Sequence, residues 1–390
     1  MVRLASQLAV AASIASLVAA APAPGSTIIL PVKKGTSGNK ITAKGVVERD
    51  QARIAGYNGR TLEKRASSGT VSNADVSYLA PVTFCSTTYQ LIVDTGSSNT
   101  WAGAGSSKPS SCGSASGGTF SVSYGSGTVS GNERSGSVSF GGLTVSSQSF
   151  GSATKSSGFT GVDGIIGFGP VDLTEGTVSG LSTVPTFTDN LYSSGAISTE
   201  TLGVYFAPES GSDTDDANGE LTLGGVDTSK YTGTLTYFSK STTSPYSYYW
   251  GIATAGLTYG STSLESSANA IVDTGTTLIY IPTSAYNKFL SAAGGTTDSS
   301  TGLARFKTKP TSNFTIKIGS VSYALTPAQY LVPTAQYSYY GLSSSYSYAW
   351  INDGGSTAAD VNFIIGQKFL ENYYSVFDTT NSRIGFATRA

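Results

Sequence analysis

The sequence contains no histidine. That absence removes Ser-His-Asp and Cys-His catalysis, His-ligated zinc and haem, and any histidine pH switch. Only two cysteines, Cys85 and Cys112, are present, so at most one internal disulfide can form and Cys-built zinc or iron-sulfur centres are excluded. No metal or cofactor site is expected. Charge is scarce too, at 12% of the 390 residues. What is abundant is glycine (47), tyrosine (23) and long Ser/Thr stretches, the composition of a β-rich chain with many turns. With 39% hydrophobic residues, the length suffices for two domains with cores of their own.

The formal charge of -1 hides an asymmetry: residues 1–65 carry ten Lys/Arg against three Asp/Glu, and the remainder 13 against 21. The acidic bulk has no basic stripe interleaved with aromatics, so nucleic acid is not an expected partner. Residues 1–20 combine an early Arg3, an alanine-rich apolar run and small residues near Ala19–Ala21, the pattern of a cleaved secretory signal. No second apolar run of spanning length follows, so no membrane anchor is expected and the product is read as secreted. Residues 21–65 are basic and end at Lys64-Arg65, where the charge balance changes, and read as a pro-segment removed at a dibasic site.

From about Val71 the chain alternates short β-like runs with Gly and Ser, as in GTFSVSYGSGTVSG, which predicts antiparallel strands. Helical spacing is confined to 184–197, 283–294 and 366–374. Segments 207–219 and 294–302 read as surface loops. The Tyr-rich stretch 337–348 has no assigned role; strand surface is the plainest reading and a substrate subsite the alternative.

Two stretches are nearly the same: LIVDTGSSNTW (91–101) and AIVDTGTTLIY (270–280), their aspartates 179 positions apart. Each is followed downstream by Ile-Ile-Gly, ending at Gly167 and Gly366. The matching order implies duplication, with lobes at 66–240 and 241–390 joining near 235–250. Each lobe offers one carboxylate, Asp94 or Asp273. Hydrolysing a peptide without a metal or a side-chain nucleophile requires an acid and a base held together, and two carboxylates sharing one proton supply both. The pair titrates jointly, so an acid pH optimum is expected with neither residue assignable as acid or base. Gly96 and Gly275 let backbone amides approach the carboxylates, and Ser97 and Thr276 place hydroxyls on their outer oxygens. Taken singly, each is also an ordinary turn residue.

With these motifs, SYGSGTVSG (123–131), and FLENYYSVFDTTNSRIGFA (369–387), the chain resembles the pepsin-like aspartic endopeptidases over roughly residues 78–387. GPVDLTEGTVSG and NGELTLGGVDTSKYTG are similar to the secreted fungal polyporopepsin branch. The resemblance implies an all-β, mainly antiparallel, bilobal fold with two pseudo-symmetric lobes, few short helices and a cleft between them. It implies that Thr95 and Thr274 tie the two loops together, and that Tyr124, Gly125, Ser126 and Gly127 form a flap toward which Trp101 hydrogen-bonds. It further implies a monomer acting on polypeptide substrates, with large hydrophobic side chains beside the cut. The basic pro-segment would inhibit the acidic enzyme by charge, through lysines such as Lys33 or Lys34. A peptide-binding relative without activity and a Ser/Thr-rich surface protein are the competing classes; two intact aspartates and a flap argue against them.

Three departures stand out. YLAPVTFCSTTY (78–89) is about two residues shorter than the family's first hairpin, so either that hairpin is rebuilt or the gene's exon boundary is misplaced. The family's usual loop disulfides have no matching Cys pairs here, leaving the pairing of Cys85 with Cys112 open. Gln367 stands where many relatives carry Asp, which is expected to shift the pH profile. Asn313 begins an Asn-Phe-Thr glycan acceptor triplet.

Overall fold

The structure, a computed structural model, describes residues 27–35, 42–59, 77–105, 107–209, 211, 218–254, 256–358 and 360–390. The stretch 1–20, expected to be a secretory signal, and the dibasic Lys64-Arg65 lie outside the described residues.

The chain folds as two β-lobes around a cleft. Among the described residues, strands assemble into a 13-stranded sheet and smaller sheets of 5, 4 and 3 strands, with mostly antiparallel pairings. Strand formation follows the two-residue period: in β2 (Ser77–Phe84, after β1, Ile28–Gly35) and β3 (Thr87–Asp94) the inward Val82, Phe84, Tyr89, Leu91 and Val93 are buried.

The shortened stretch closes as a two-residue hairpin, with Phe84 opposite Thr87 and Cys85 in the left-handed region at φ 53°. Cys85 and Cys112 form a disulfide with Cα atoms 5.6 Å apart, which closes the open question of their pairing. The bond ties the hairpin tip to the loop preceding the strand Ser114–Ser123.

Both Ile-Ile-Gly runs are short strands lying parallel to the strand that carries an aspartate. Gly164–Gly167 pairs with β3, setting Gly167 beside Asp94, and Ile364–Ile365 pairs with Ala268–Val272. Next along the chain in each half, Trp101–Ala102 and Ile279–Ile281 pair antiparallel with the same Ile-Ile strands. Glycine ends these runs because another chain segment is in contact. A Cβ on Gly167 would lie 2.5 Å from the Ser98 backbone, and one on Gly366 2.1 Å from the Leu278 carbonyl oxygen.

Part of the basic N-terminal segment is also built into the fold. In β1, Ile28–Val32 pair with Gly219–Leu223 and Lys33–Gly35 with Ser77–Leu79. Helix α1 (Ala43–Gly59) begins at Thr42, whose hydroxyl accepts the Gly45 N–H at 3.1 Å. Its buried residues are Ala43, Val46, Val47, Arg49, Asp50, Arg53, Ile54 and Tyr57.

Helix α2 (Phe187–Ser193) starts from a Thr186/Asp189 capping box, and α3 (Thr283–Ala293) ends at Gly294 with φ 69°. The third expected helix shrinks to Gln367–Leu370, since Tyr373–Asp378 is taken as a strand between Thr201–Tyr205 and Arg383–Arg389. The 294–302 stretch contains a three-residue strand, Gly295–Thr297. Nor is the Tyr-rich stretch strand surface throughout: Tyr337, Tyr340 and Tyr348 are buried and pack with Trp350 in an aromatic cluster. Among the described residues no helix is long and apolar enough to cross a membrane.

Candidate active site

Asp94 and Asp273 meet at the floor of the cleft, both fully buried. Each ends an apolar strand, so the following turn delivers main-chain donors to its carboxylate. The Gly96 N–H donates to Asp94 Oδ1 at 2.9 Å and the Ser97 hydroxyl to Oδ2 at 2.5 Å. The Gly275 N–H donates to Asp273 Oδ1 at 2.8 Å, and the Thr276 hydroxyl to Oδ2. Both glycines face the opposite carboxylate: a Cβ on Gly96 would lie 2.6 Å from Asp273 Oδ1, and one on Gly275 2.6 Å from Asp94 Oδ1. The two turns are therefore pressed together so closely that side chains are excluded.

Thr95 and Thr274 lock that contact reciprocally. The Thr95 N–H donates to Thr274 Oγ1 at 2.9 Å and the Thr274 N–H to Thr95 Oγ1 at 3.0 Å. Each hydroxyl in turn donates to a carbonyl across the interface, Thr95 to Val272 at 3.3 Å and Thr274 to Val93 at 2.8 Å. Buried and fully bonded, this network holds the carboxylates in fixed register. Gln367 lies behind it, its Nε2 donating to the Thr274 carbonyl at 2.7 Å. A carboxylate there would set charge against that oxygen; the amide adds none.

Above the pair, the strands Ser114–Ser123 and Thr128–Phe140 form a hairpin whose tip holds Tyr124, Gly125, Ser126 and Gly127. Gly125 turns it at φ 74°. The indole N–H of Trp101 donates to the Tyr124 hydroxyl at 2.8 Å. Phe159 packs edge-on against both rings. Asn313 is exposed, just before the strand Phe314–Ile318.

The space between floor and hairpin is filled by α1. The Arg53 guanidinium bonds both carboxylates at once: Nε to Asp273 Oδ2 at 2.8 Å, and Nη2 to Asp273 Oδ1 at 3.1 Å and to Asp94 Oδ1. The Tyr57 hydroxyl adds a 2.6 Å bond to Asp273 Oδ2. Burial opposes ionisation of Asp273, but the Arg53 charge and the bonds from Arg53, Thr276 and Tyr57 outweigh it and hold its carboxyl below the usual range. Asp94 moves up instead, because burial, helped by the neighbouring Asp273, exceeds what Arg53 gives back. On the same helix the buried Asp50 carboxylate accepts the Thr277 and Leu278 N–H groups at 3.0 and 2.9 Å. The helix touches the hairpin tip as well, since a Cβ on Gly125 would lie 1.8 Å from the Ala52 carbonyl oxygen.

Arg53 was not among the residues expected here. Among the described side chains, the cation bonded to both carboxylates is this arginine; the Lys33 and Lys34 backbones pair with Leu79 and Tyr78 in the β1–β2 ladder. The available signal was the stripe itself: Asp50 and Arg53 interrupt an i, i+3, i+4 run of apolar residues, and charge on a buried stripe demands a partner elsewhere.

Residues 77–389 match the family model of the eukaryotic aspartyl proteases. The chain belongs to that family. This protease is 47% identical over 310 residues to polyporopepsin of Irpex lacteus, an alignment covering 77% of this chain and 90% of the relative. Gastricsin of Cavia porcellus is 32% identical over 327 residues, 77% of each chain. The crystal structure of the aspartic proteinase from Irpex lacteus superposes with a TM-score of 0.77 at 38% identity, covering 94% of this protease and 98% of that chain. The protease is thus a pepsin-like aspartic endopeptidase with polypeptide substrates. The family match begins at residue 77, so β1 and α1 lie outside it.

Proposed function

We propose that this protease is exported as a precursor in which its own α1 blocks the cleft, and that the mature enzyme hydrolyses peptide bonds at acid pH through Asp94 and Asp273. The bridging of both carboxylates by Arg53 carries this reading. A guanidinium bound there occupies the place of the reacting water and peptide carbonyl, and it neutralises the charge that would activate the water.

With α1 gone, the two carboxyls face each other without a cation, and one proton is retained between them. The ionised carboxylate takes a proton from water as the water oxygen bonds to the peptide carbonyl carbon. The protonated partner donates to the carbonyl oxygen, giving a tetrahedral intermediate. The carboxyl that took the water's proton then protonates the amide nitrogen, the C–N bond breaks, and a hydroxyl of the intermediate returns its proton to the other carboxylate, so the pair again holds one proton. The Gly96 and Gly275 amides hold Oδ1 of each carboxylate and the Ser97 and Thr276 hydroxyls hold Oδ2, which fixes the orientation of both groups toward the substrate. Tyr124 and the glycines beside it close over the bound chain and exclude water.

Ile92, Tyr124, Phe159 and Ile165 line a cavity next to Arg53 and Gly275, which supports a preference for a large hydrophobic residue beside the cut. The deciding experiment compares purified precursor and mature enzyme on a denatured protein across pH. Cleavage by the mature form at acid pH, abolished in Asp94→Asn and in Asp273→Asn, is expected. Activity surviving in either variant would sink the two-carboxylate mechanism, and a precursor as active as mature enzyme at neutral pH would sink inhibition by α1.

A further inference from the structure

Beyond Tyr57 the cleft wall presents an unusual polar pair. The Val361 N–H donates to Asn58 Oδ1 at 2.7 Å, and the Val361 carbonyl accepts from Asn58 Nδ2 at 3.3 Å. One carboxamide on α1 thus answers both main-chain groups of one residue, as the N–H and C=O of one residue in an added antiparallel strand would. The two groups are held in place from behind. The Tyr246 hydroxyl lies 3.1 Å from the Asp360 carbonyl oxygen and 3.3 Å from Asn362 Oδ1, and it accepts the Asn362 N–H at 3.4 Å. Asn362 is tied in turn to the Thr357 carbonyl at 3.2 Å. With residues 360 and 362 pinned by one buried hydroxyl, the N–H and C=O of Val361 are turned toward the ground that α1 occupies.

We propose that in the open cleft the Val361 main chain is an amide-binding subsite. It would recognise either an Asn or Gln side chain or the main-chain N–H and C=O of one residue of an extended substrate. The proposal rests on the reading of α1 as a removable inhibitor. The chemistry of the pair selects the ligand. A donor and an acceptor side by side match a carboxamide or the N–H and C=O of one residue in an extended chain; a carboxylate would set an oxygen against the Val361 carbonyl, and an ammonium would leave the N–H unanswered. The surroundings favour such a ligand, since Val361 clusters with the buried Tyr246, Tyr249, Tyr340 and Trp350.

Position follows from helix geometry. Asn58 is five residues beyond Arg53, about 7.5 Å along the axis at 1.5 Å per residue. An extended substrate advances about 3.3 Å per residue, so the subsite meets a residue two or three places from the scissile bond. It lies on the opposite flank from Thr277 and Leu278, because Asp50, which binds them, precedes Arg53 on the helix.

The test uses mature enzyme and a parent peptide cleaved at one bond, with kcat and KM measured at acid pH. Asn and Gln are compared with Leu and Asp at each position up to four residues either side of the cut, and each backbone amide is N-methylated in turn. A kcat/KM advantage of roughly tenfold for Asn or Gln at one position two or three residues out assigns the carboxamide; a loss of roughly tenfold on methylating one amide there assigns the backbone. Neither effect at those positions overturns the subsite. Tyr246→Phe releases the pinning, and its signature is a rise in KM for the recognised peptide and a shrunken advantage over the unrecognised one. An advantage kept in full in Tyr246→Phe overturns the assignment to Val361. Cleavage of the parent peptide reports separately on the protease reading, so the two failures are told apart.

Discussion

The Nε atom of Arg53 lies 2.8 Å from Asp273 Oδ2, an ion pair between groups 220 residues apart in the chain and buried on both sides. Such a pair stabilises little relative to an apolar contact of the same shape, but removing one partner is costly because the other charge stays buried. Arg53→Leu leaves two carboxylates under α1 without the cation that bridges them, while the helix keeps its Asp50, Tyr57 and Asn58 bonds to the cleft. The precursor of this variant is expected to cleave a quenched peptide at pH 6 at least roughly tenfold faster than wild-type precursor, taking a buried pair as worth more than 1.4 kcal/mol. Arg53→Lys keeps the charge but not the forked geometry that reaches both carboxylates, and is expected to fall between them. Precursor variants as silent as the wild type would show that α1 is held by other contacts.

Gly275→Ala tests how tightly the two turns are pressed. Its Cβ would lie 2.6 Å from Asp94 Oδ1 and 2.5 Å from Arg53 Nη2, so the carboxylate must shift and, in the precursor, so must the guanidinium. A displacement near 1 Å at the reacting groups costs on the order of a hundredfold in rate. We expect mature Gly275→Ala to lose about that factor in kcat, while thermal unfolding shows a smaller change because the backbone around it is unaltered. A kcat within threefold of wild type would mean that the carboxylate positions tolerate the shift.

The active-site half of this architecture was legible because its signals are short and contiguous. Asp-Thr-Gly and Ile-Ile-Gly are each a few residues long, and their parallel pairing through Asp94 and Gly167, and through Val272 and Ile365, explains why they recur in one order. The α1 lock was not legible in the same way. Arg53 acquires meaning only when a helix brings it to residues 41 and 220 positions away, and its local neighbours read as a polar, basic stretch. The disulfide was hidden for a similar reason: it depends on a two-residue turn that puts Cys85 at positive φ. Three of the tyrosines in 337–348 turned out to be core because their ring partners, Trp350 among them, come from the packing of the second lobe rather than from any alternation.

Loss of the disulfide is expected to act on stability rather than on chemistry. The Cys85–Cys112 bond closes a loop with a sequence separation of 27, which on the chain-entropy account stabilises by about 3–4 kcal/mol. Cys85→Ser with Cys112→Ser should therefore lower the urea midpoint of the mature enzyme clearly, with KM for a short peptide little changed. Equal urea midpoints for the double variant and the wild type would show that the β2–β3 hairpin is held without the bond.

The stability of the fold should decline from acid toward neutral pH, on account of two carboxyls remote from the candidate dyad. Glu200 is buried beside Asp189, and burial first, then that neighbouring acid, raises its pKa from 4.5 to about 8. Burial likewise raises Glu133 to about 7, although the Ser149 hydroxyl, donating to Oε1 at 2.5 Å, opposes the shift. A raised carboxyl pKa means that the folded state binds the proton more tightly than the unfolded chain. Between 4.5 and the folded value the folded state holds the extra proton, so stability is full below that window and falls as pH rises through it, by at most about 1.4 kcal/mol per pH unit for each group. Urea midpoints measured from pH 4 to pH 8 should accordingly decline. Glu200→Gln, which keeps the shape and cannot ionise, should flatten the curve most above pH 7, where Glu133 has largely titrated and Glu200 has not. A slope identical to wild type in that variant would place the titrating group elsewhere.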